Sequence, residues 1–154
     1  MARRPAGIVS DLSAANATAL SRIELDPATG LPIHVTEIGI SMNAAPNSTL
    51  VPVEFNLKRT STAATTKTAF TPDKIYRETV TALNTTSSVE VTGSEGTIIG
   101  NPLHRWFVPV VSGLIWVAAP GSEPDAQPGD FMALQNIAAL GASINAACYM
   151  VFEE

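Results

Sequence analysis

Two stretches of the chain alternate apolar and polar residues at every second position, and this pattern limits the fold more than any other feature. In VPVEFNLKR (51–59) the odd positions up to Leu57 are apolar, and HVTEIGISM (34–42) repeats the pattern from Glu37 onwards. Side chains of a β-strand point to opposite faces in turn, so both stretches are predicted as strands with one buried and one wet face. Pro52 cannot donate to a sheet hydrogen bond, which places it at the start of its strand or at a sheet edge.

Further strands are predicted at 17–25, 87–91, 105–111, 114–117, 130–138 and 143–153. Turn-forming residues separate them, and Ser112-Gly113 is predicted to join 105–111 and 114–117 into a hairpin. Helical patterns are confined to two short segments, 8–15 and 72–79. About eight short strands with Pro/Gly turns predict an all-β fold, an antiparallel β-sandwich or jelly roll.

The length of 154 residues fits one domain. Residues 1–16 are small and polar and show no strand pattern, so they are predicted as an extended N-terminal arm outside a jelly-roll domain of residues 17–154. Plain terminal disorder is the other interpretation of this segment.

Charge and apolar content exclude two kinds of partner. The net charge is −5 and the basic residues are scattered, which argues against direct binding of nucleic acid. The apolar run after Trp106 is broken by Pro109 and Gly113, well short of the roughly 20 residues of a membrane span. Only 15% of the residues are charged, so we expect polar Thr-rich loops and partner proteins to cover the surface.

No pattern of residues indicates catalysis. His34 and His104 lack the spacing of metal ligands, and the single Cys148 is predicted as a buried, inert thiol. The acids Glu123, Asp125 and Asp130 fit a solvated turn better than a calcium loop. We therefore expect a protein that is not an enzyme and has no metal and no cofactor. The alternative, a jelly-roll enzyme such as a sugar isomerase or a metal-dependent dioxygenase, is disfavoured by the shortage of histidine.

Two segments carry apolar residues that one core does not account for. The first interpretation of Trp106 and Trp116 places them in the core, since Trp106 alternates with Val108 and Val110. Trp116 falls on the opposite side of its strand from Ile115 and Val117, so the alternative is that one of the two indoles faces outward. An outward indole would indicate a protein interface, or else a sugar-stacking surface. Residues 143–153 are apolar on both faces, which is typical of a central strand or a subunit contact.

The order of these features resembles that of small structural proteins of tailed bacteriophages. The segments that carry the resemblance lie within residues 17–154 and are HVTEIGISMNAAPNS, VEFNLKRTST, TALNTTSS, RWFVPVVSGLIW, PGSEPDAQPGD, FMALQNIA and MVFEE. The resemblance implies a head decoration, or cement, protein: a homotrimeric jelly roll on the outer surface of the phage head, where it stabilises the shell.

The same resemblance implies the partners and the location of the protein. The partners would be further copies of the chain and the major capsid protein. The protein would be made in the cytoplasm of the host bacterium and reside on the capsid surface of the virion.

The residues implied at the two contacts follow from the strand and arm assignments. The trimer-interface candidates are Trp106, Trp116, Tyr149 and Val151. Arms of such proteins reach across the shell, which makes Arg3, Arg4, Ile8, Val9 and Leu12 the capsid-contact candidates. The alternative function is a carbohydrate- or receptor-binding module of a phage tail or fibre, with an outward Trp106 or Trp116 as its platform.

Overall fold

The computed structural model describes residues 6–10, 20–44, 51–75, 82–140 and 144–154, and these form twelve β-strands. The strands are assigned to two six-stranded sheets with antiparallel pairing throughout. The predicted all-β antiparallel sandwich is therefore confirmed. No helix in the described residues has the length and apolar character needed to cross a membrane.

Sheet A is built around one long strand. Its members are β1 (Ala6–Ser10), β3 (Ile33–Ala44), β6 (Asp73–Lys74), β9 (Gly113–Val117), β10 (Asp125–Ala126) and β12 (Ile144–Glu153). Strand β3 pairs with β12 along one edge and with β9 and β10 along the other, while β1 lies between β12 and β6. Strand β9 therefore forms one outer edge of this sheet.

Sheet B faces sheet A. Its members are β2 (Ser21–Asp26), β4 (Val53–Thr60), β5 (Thr68–Phe70), β7 (Thr86–Val89), β8 (His104–Val108) and β11 (Phe131–Asn136). Their order across the sheet is β5-β7-β2-β11-β4-β8, which makes β8 an outer edge.

The core lies between the two sheets and follows the alternation seen in the sequence. Phe55 and Leu57 of β4 are fully buried, as are Met150 and Phe152 of β12. Cys148, on the same face of β12, is 3% exposed, which confirms the predicted buried thiol. Removing this apolar surface from water is the main term that stabilises the sandwich.

One cation is enclosed in the same core. A β-bulge, where β2 pairs with β11, leaves Arg22 as the extra residue, and Arg22 is fully buried. Its Nη2 donates to the carbonyl oxygen of Ala146 in β12 at 2.7 Å. A buried guanidinium needs such acceptors, so this hydrogen bond also ties sheet B to sheet A.

The N-terminal segment is not entirely an arm outside the domain. Residues 6–10 form β1, which pairs with both β12 and β6, and Val9 is fully buried. The helical turn predicted at 8–15 is wrong for residues 8–10, and residues 11–15 lie outside the described residues. Five residues carry too short a pattern to identify a strand, and pairing with β12 supplies the hydrogen bonds that fix it.

The second predicted helical turn is also wrong where the structure describes it. Asp73 and Lys74 are the short strand β6 at the edge of sheet A, and residues 76–79 lie outside the described residues. Backbone hydrogen bonds such as the one from Ile75 to Ala6 hold this segment extended.

The predicted hairpin at Ser112-Gly113 is wrong. Strand β8 belongs to sheet B and β9 to sheet A, so the two do not pair. The connection still turns, since the Ser112 amide donates to the carbonyl oxygen of Pro109 at 3.2 Å. Turn residues fix a local reversal of the chain, but the partner of each strand is set by the sheet edge that it meets.

Candidate subunit interface

Much of the outer face of sheet B is covered by the chain's own loops. Glu24 is 1% exposed, accepts a hydrogen bond from the Ala64 amide at 3.0 Å and forms an ion pair with Lys67. Nearby, Lys58 contacts Glu95 at 3.0 Å. These contacts hold the segments 61–67 and 90–99 on the sheet, so this part of the surface is already occupied.

The outer face of sheet A presents apolar side chains to solvent. Ile115 and Val117 of β9 are 69% and 63% exposed. Val117 of β9 is in register with Glu37 of β3, and Glu37 is in register with Val151 of β12. Val151 is in turn in register with Ile8 of β1. The predicted interface residues Tyr149 and Val151 point to this face and are half-buried.

Tyr149 is fixed flat against the same face. Its cross-strand partner is Gly39, and a Cβ at that position would come within 1.9 Å of the ring. The hydroxyl of Tyr149 donates to Glu37 Oε1 at 2.5 Å. This hydrogen bond, burial and the negative charge of Glu37 together raise the pKa of Tyr149 to about 12. The ring is therefore a rigid part of the surface.

A shallow hollow of about 640 Å³ opens beside this ring. Its residues come from β1, β3, β9 and β12, and those whose side chains or small size shape it are Ser10, Gly39, Ser41, Gly113, Ile115, Ala147 and Tyr149. Hollows of this size accept a small ligand or a side chain of a partner protein.

Both tryptophans face inward, as the interpretation that places them in the core predicts, and the alternative of one indole pointing to solvent is wrong. Trp106 of β8 and Trp116 of β9 pack against the core, with ring centroids 5.7 Å apart. The His104 ring stacks on Trp106 at 5.4 Å and is tilted against Trp116 at 4.6 Å. Burial lowers the pKa of His104. The three rings join the edge of sheet B to the edge of sheet A.

The side chains that point outward at this edge are the neighbours of the tryptophans. Phe107 is 69% exposed on the sheet B side, and Val111 in the connection is 65% exposed. We call the surface formed by Arg105, Phe107, Val111, Ile115 and Val117 the β8–β9 edge. Sequence reasoning missed it because β9 is apolar on both faces, and its alternation favoured Ile115 and Val117 for the buried side and Trp116 for the exposed side.

The capsid-contact candidates are separated by the structure. Val9 is fully buried, so it cannot touch a shell while β1 is in place, because its side chain packs between the sheets. Ile8 is half-buried on the outer face of sheet A, opposite Val151. Arg3, Arg4 and Leu12 lie outside the described residues.

The acidic loop forms internal contacts. Asp125 accepts from Arg59 Nη2 at 2.5 Å and from Gln127 at 2.7 Å. Burial alone would raise the pKa of Asp125, but these two partners outweigh it and the pKa is lowered. Glu123 Oε1 accepts from the amide of Gly121 at 3.0 Å. Within the ranges that the structure describes, no three His, Cys, Asp or Glu residues are grouped as a metal site.

No protein-family model, curated protein or solved structure matches this sequence.

Proposed function

We propose that the chain is a structural virion protein, a homotrimeric decoration protein that binds the outer surface of a phage head and stabilises the shell. The observation that carries this proposal is the β8–β9 edge. Phe107, Val111, Ile115 and Val117 are each more than 60% exposed. Several large apolar side chains exposed along one edge of a sandwich are typical of a contact between proteins.

The order of the strands supports the jelly-roll part of the proposal. Strands β1-β12-β3-β9 face β2-β11-β4-β8, and the chain passes between the two sets. This order supports an eight-stranded jelly roll in which β5, β6 and β7 are inserted in the connection from β4 to β8, and β10 in the connection from β9 to β11. The resemblance of residues 17–154 to small phage structural proteins points to the same fold.

The major capsid protein is the proposed second partner. In this proposal the N-terminal residues Arg3, Arg4 and Leu12 contact the shell, together with Ile8 on the outer face of sheet A. Val9 is withdrawn from this set because it is buried in the core.

Particles made in cells that carry the gene provide the test. Purified particles are expected to contain the protein in a fixed, high ratio to the major shell protein, in a number divisible by three, as measured by quantitative mass spectrometry. Ile115→Asp is expected to reduce this occupancy, while Ile75→Asp, a change of an exposed isoleucine near β6, is the matched control. Particles free of the wild-type protein would refute the proposal.

A second candidate function is a carbohydrate- or receptor-binding module of a phage tail or fibre. The observation in its favour is the hollow beside the flat ring of Tyr149. A glycan array separates the two functions: saturable binding that is lost in Tyr149→Ala and kept in Trp106→Phe supports the module. Absence of glycan binding by a folded wild-type protein removes it.

A further inference from the structure

The β8–β9 edge exposes apolar side chains on both outer faces of the sandwich. Phe107 lies on the sheet B side, in register with Glu54. Ile115 and Val117 lie on the sheet A side, in register with Gly39 and Glu37. The contact between Trp106 and Trp116 keeps the two strands adjacent. The β8–β9 edge thus has two different apolar sides. We call it the wedge, with a Phe107 side on sheet B and an Ile115 side on sheet A.

We propose that copies of this chain associate head to tail, with the Phe107 side of one copy seated on the Ile115 side of the next. This inference rests on the self-association in the proposed function and names its contact. A two-fold contact places identical surfaces together, so it would cover one side of the wedge and leave the other in water. A head-to-tail contact covers both sides.

The more exposed charge on the sheet B side is positive, and the sheet A side carries a negative charge. Arg105 lies beside Phe107, and the Arg105 side chain is 59% exposed. Its Nε atom is 4.0 Å from Oε1 of Glu54. On the other side, Glu37 lies in the row of Val117, and strands β3, β9 and β12 contain no Lys or Arg. Head-to-tail packing brings Arg105 towards Glu37. Face-to-face packing of two sheet A surfaces would bring two Glu37 carboxylates together, which is unfavourable.

Shape supports the same arrangement. The hollow beside Ile115 gives room for a side chain from the partner, and Phe107 is a large, exposed knob. A head-to-tail contact closes into a ring when the rotation between successive copies closes, and it gives an open filament when that rotation does not close. Three copies complete the ring in the proposed decoration protein.

Cross-linking of single-cysteine variants tests the contact. Phe107→Cys and Ile115→Cys are prepared in the full chain, in which the native Cys148 is buried, and treated with a short bismaleimide. A mixture of the two variants is expected to give a covalent dimer, and neither variant alone is expected to cross-link with itself. The chain with both changes is expected to give a ladder that ends at the trimer.

The controls distinguish a wrong contact from a wrong function. Ile75→Cys, an exposed position near β6, measures random cross-linking. Self-linked Ile115→Cys dimers would overturn the head-to-tail contact in favour of a two-fold one. An oligomeric wild type whose mixed variants do not cross-link would also overturn the contact and leave the proposed function standing. A wild type that sediments as a monomer at every concentration refutes both.

Discussion

Tyr149 can lie flat on sheet A because residue 39 has no side chain. A Cβ at Gly39 would stand 1.9 Å from the ring, so Gly39→Ala forces the ring away and breaks its hydrogen bond to Glu37. We expect a loss of about 1–3 kcal/mol in the free energy of unfolding, the usual cost of overpacking. Urea denaturation measures it.

A double-mutant cycle gives the control for this change. With Tyr149→Ala already present, the added methyl group meets no ring, and Gly39→Ala is expected to cost less than about 0.5 kcal/mol. An equal cost in both backgrounds would show that the strain lies in the backbone of β3 and not in the contact with the ring.

The Tyr149–Glu37 pair predicts a titration at high pH. The pKa of Tyr149 is raised to about 12 in the folded state, above the value near 10 of an unfolded chain. The folded state therefore holds the phenolic proton more tightly, and the pair's contribution to stability is lost as the pH rises through this window. Glu37→Gln is expected to lower the pKa of Tyr149, measured by the absorbance of its phenolate. The Tyr149→Phe variant identifies which part of the absorbance change comes from this residue.

His104 predicts the opposite dependence at low pH. Burial lowers its pKa from the ordinary 6.5, so the folded state binds this proton less well than the unfolded chain. Above pH 6.5 this group does not change the free energy of unfolding. Below that pH the free energy of unfolding falls, until the pH passes the pKa of His104 in the folded state. The difference in unfolding free energy between the wild type and His104→Phe is expected to change between pH 7.5 and 5. A pH-independent difference would contradict the burial of this ring.

At the scale of elements, the loop 61–67 depends on two contacts with a buried carboxylate. Lys67→Met leaves Glu24 with the Ala64 amide but without its cation. We expect a loss of about 1–3 kcal/mol, because a buried charge loses a partner, and faster proteolysis of the loop. The exposed pair Arg105–Glu54 is the control, since Arg105→Met is expected to cost under about 1 kcal/mol.

The strands that the sequence does not reveal are all short, although the short strands β7, β8 and β9 were also predicted. Strands β3, β4, β11 and β12 were predicted from their patterns, because each is long enough to show its alternation or apolar run. Strands β1, β5, β6 and β10 have five residues or fewer, and their extended form depends on the neighbour that each pairs with. The hairpin at β8 and β9 failed for a related reason: local turn chemistry does not specify which sheet receives the next strand.

At the scale of the whole molecule, self-association links stability to concentration. A protein whose folded copies bind one another gains stability by mass action, so the Tm of the wild type is expected to rise with protein concentration. Ile115→Asp places a charge in the proposed contact and is expected to remove this dependence, while Ile75→Asp is expected to keep it. Differential scanning fluorimetry over a hundredfold range of concentration gives the measurement.

The amino-acid sequence by itself determined the all-β class, the alternation of faces along the long strands and the set of residues that share the inward face of β12, because side-chain period is a local property. It also placed Tyr149 and Val151 on the outer face. Only the tertiary structure decided that Val9 is buried, that both indoles turn inward, and that Phe107 and Ile115 stand out. Those outcomes depend on which strands lie side by side. The sequence of a strand that is apolar on both faces does not indicate which strand it will pair with.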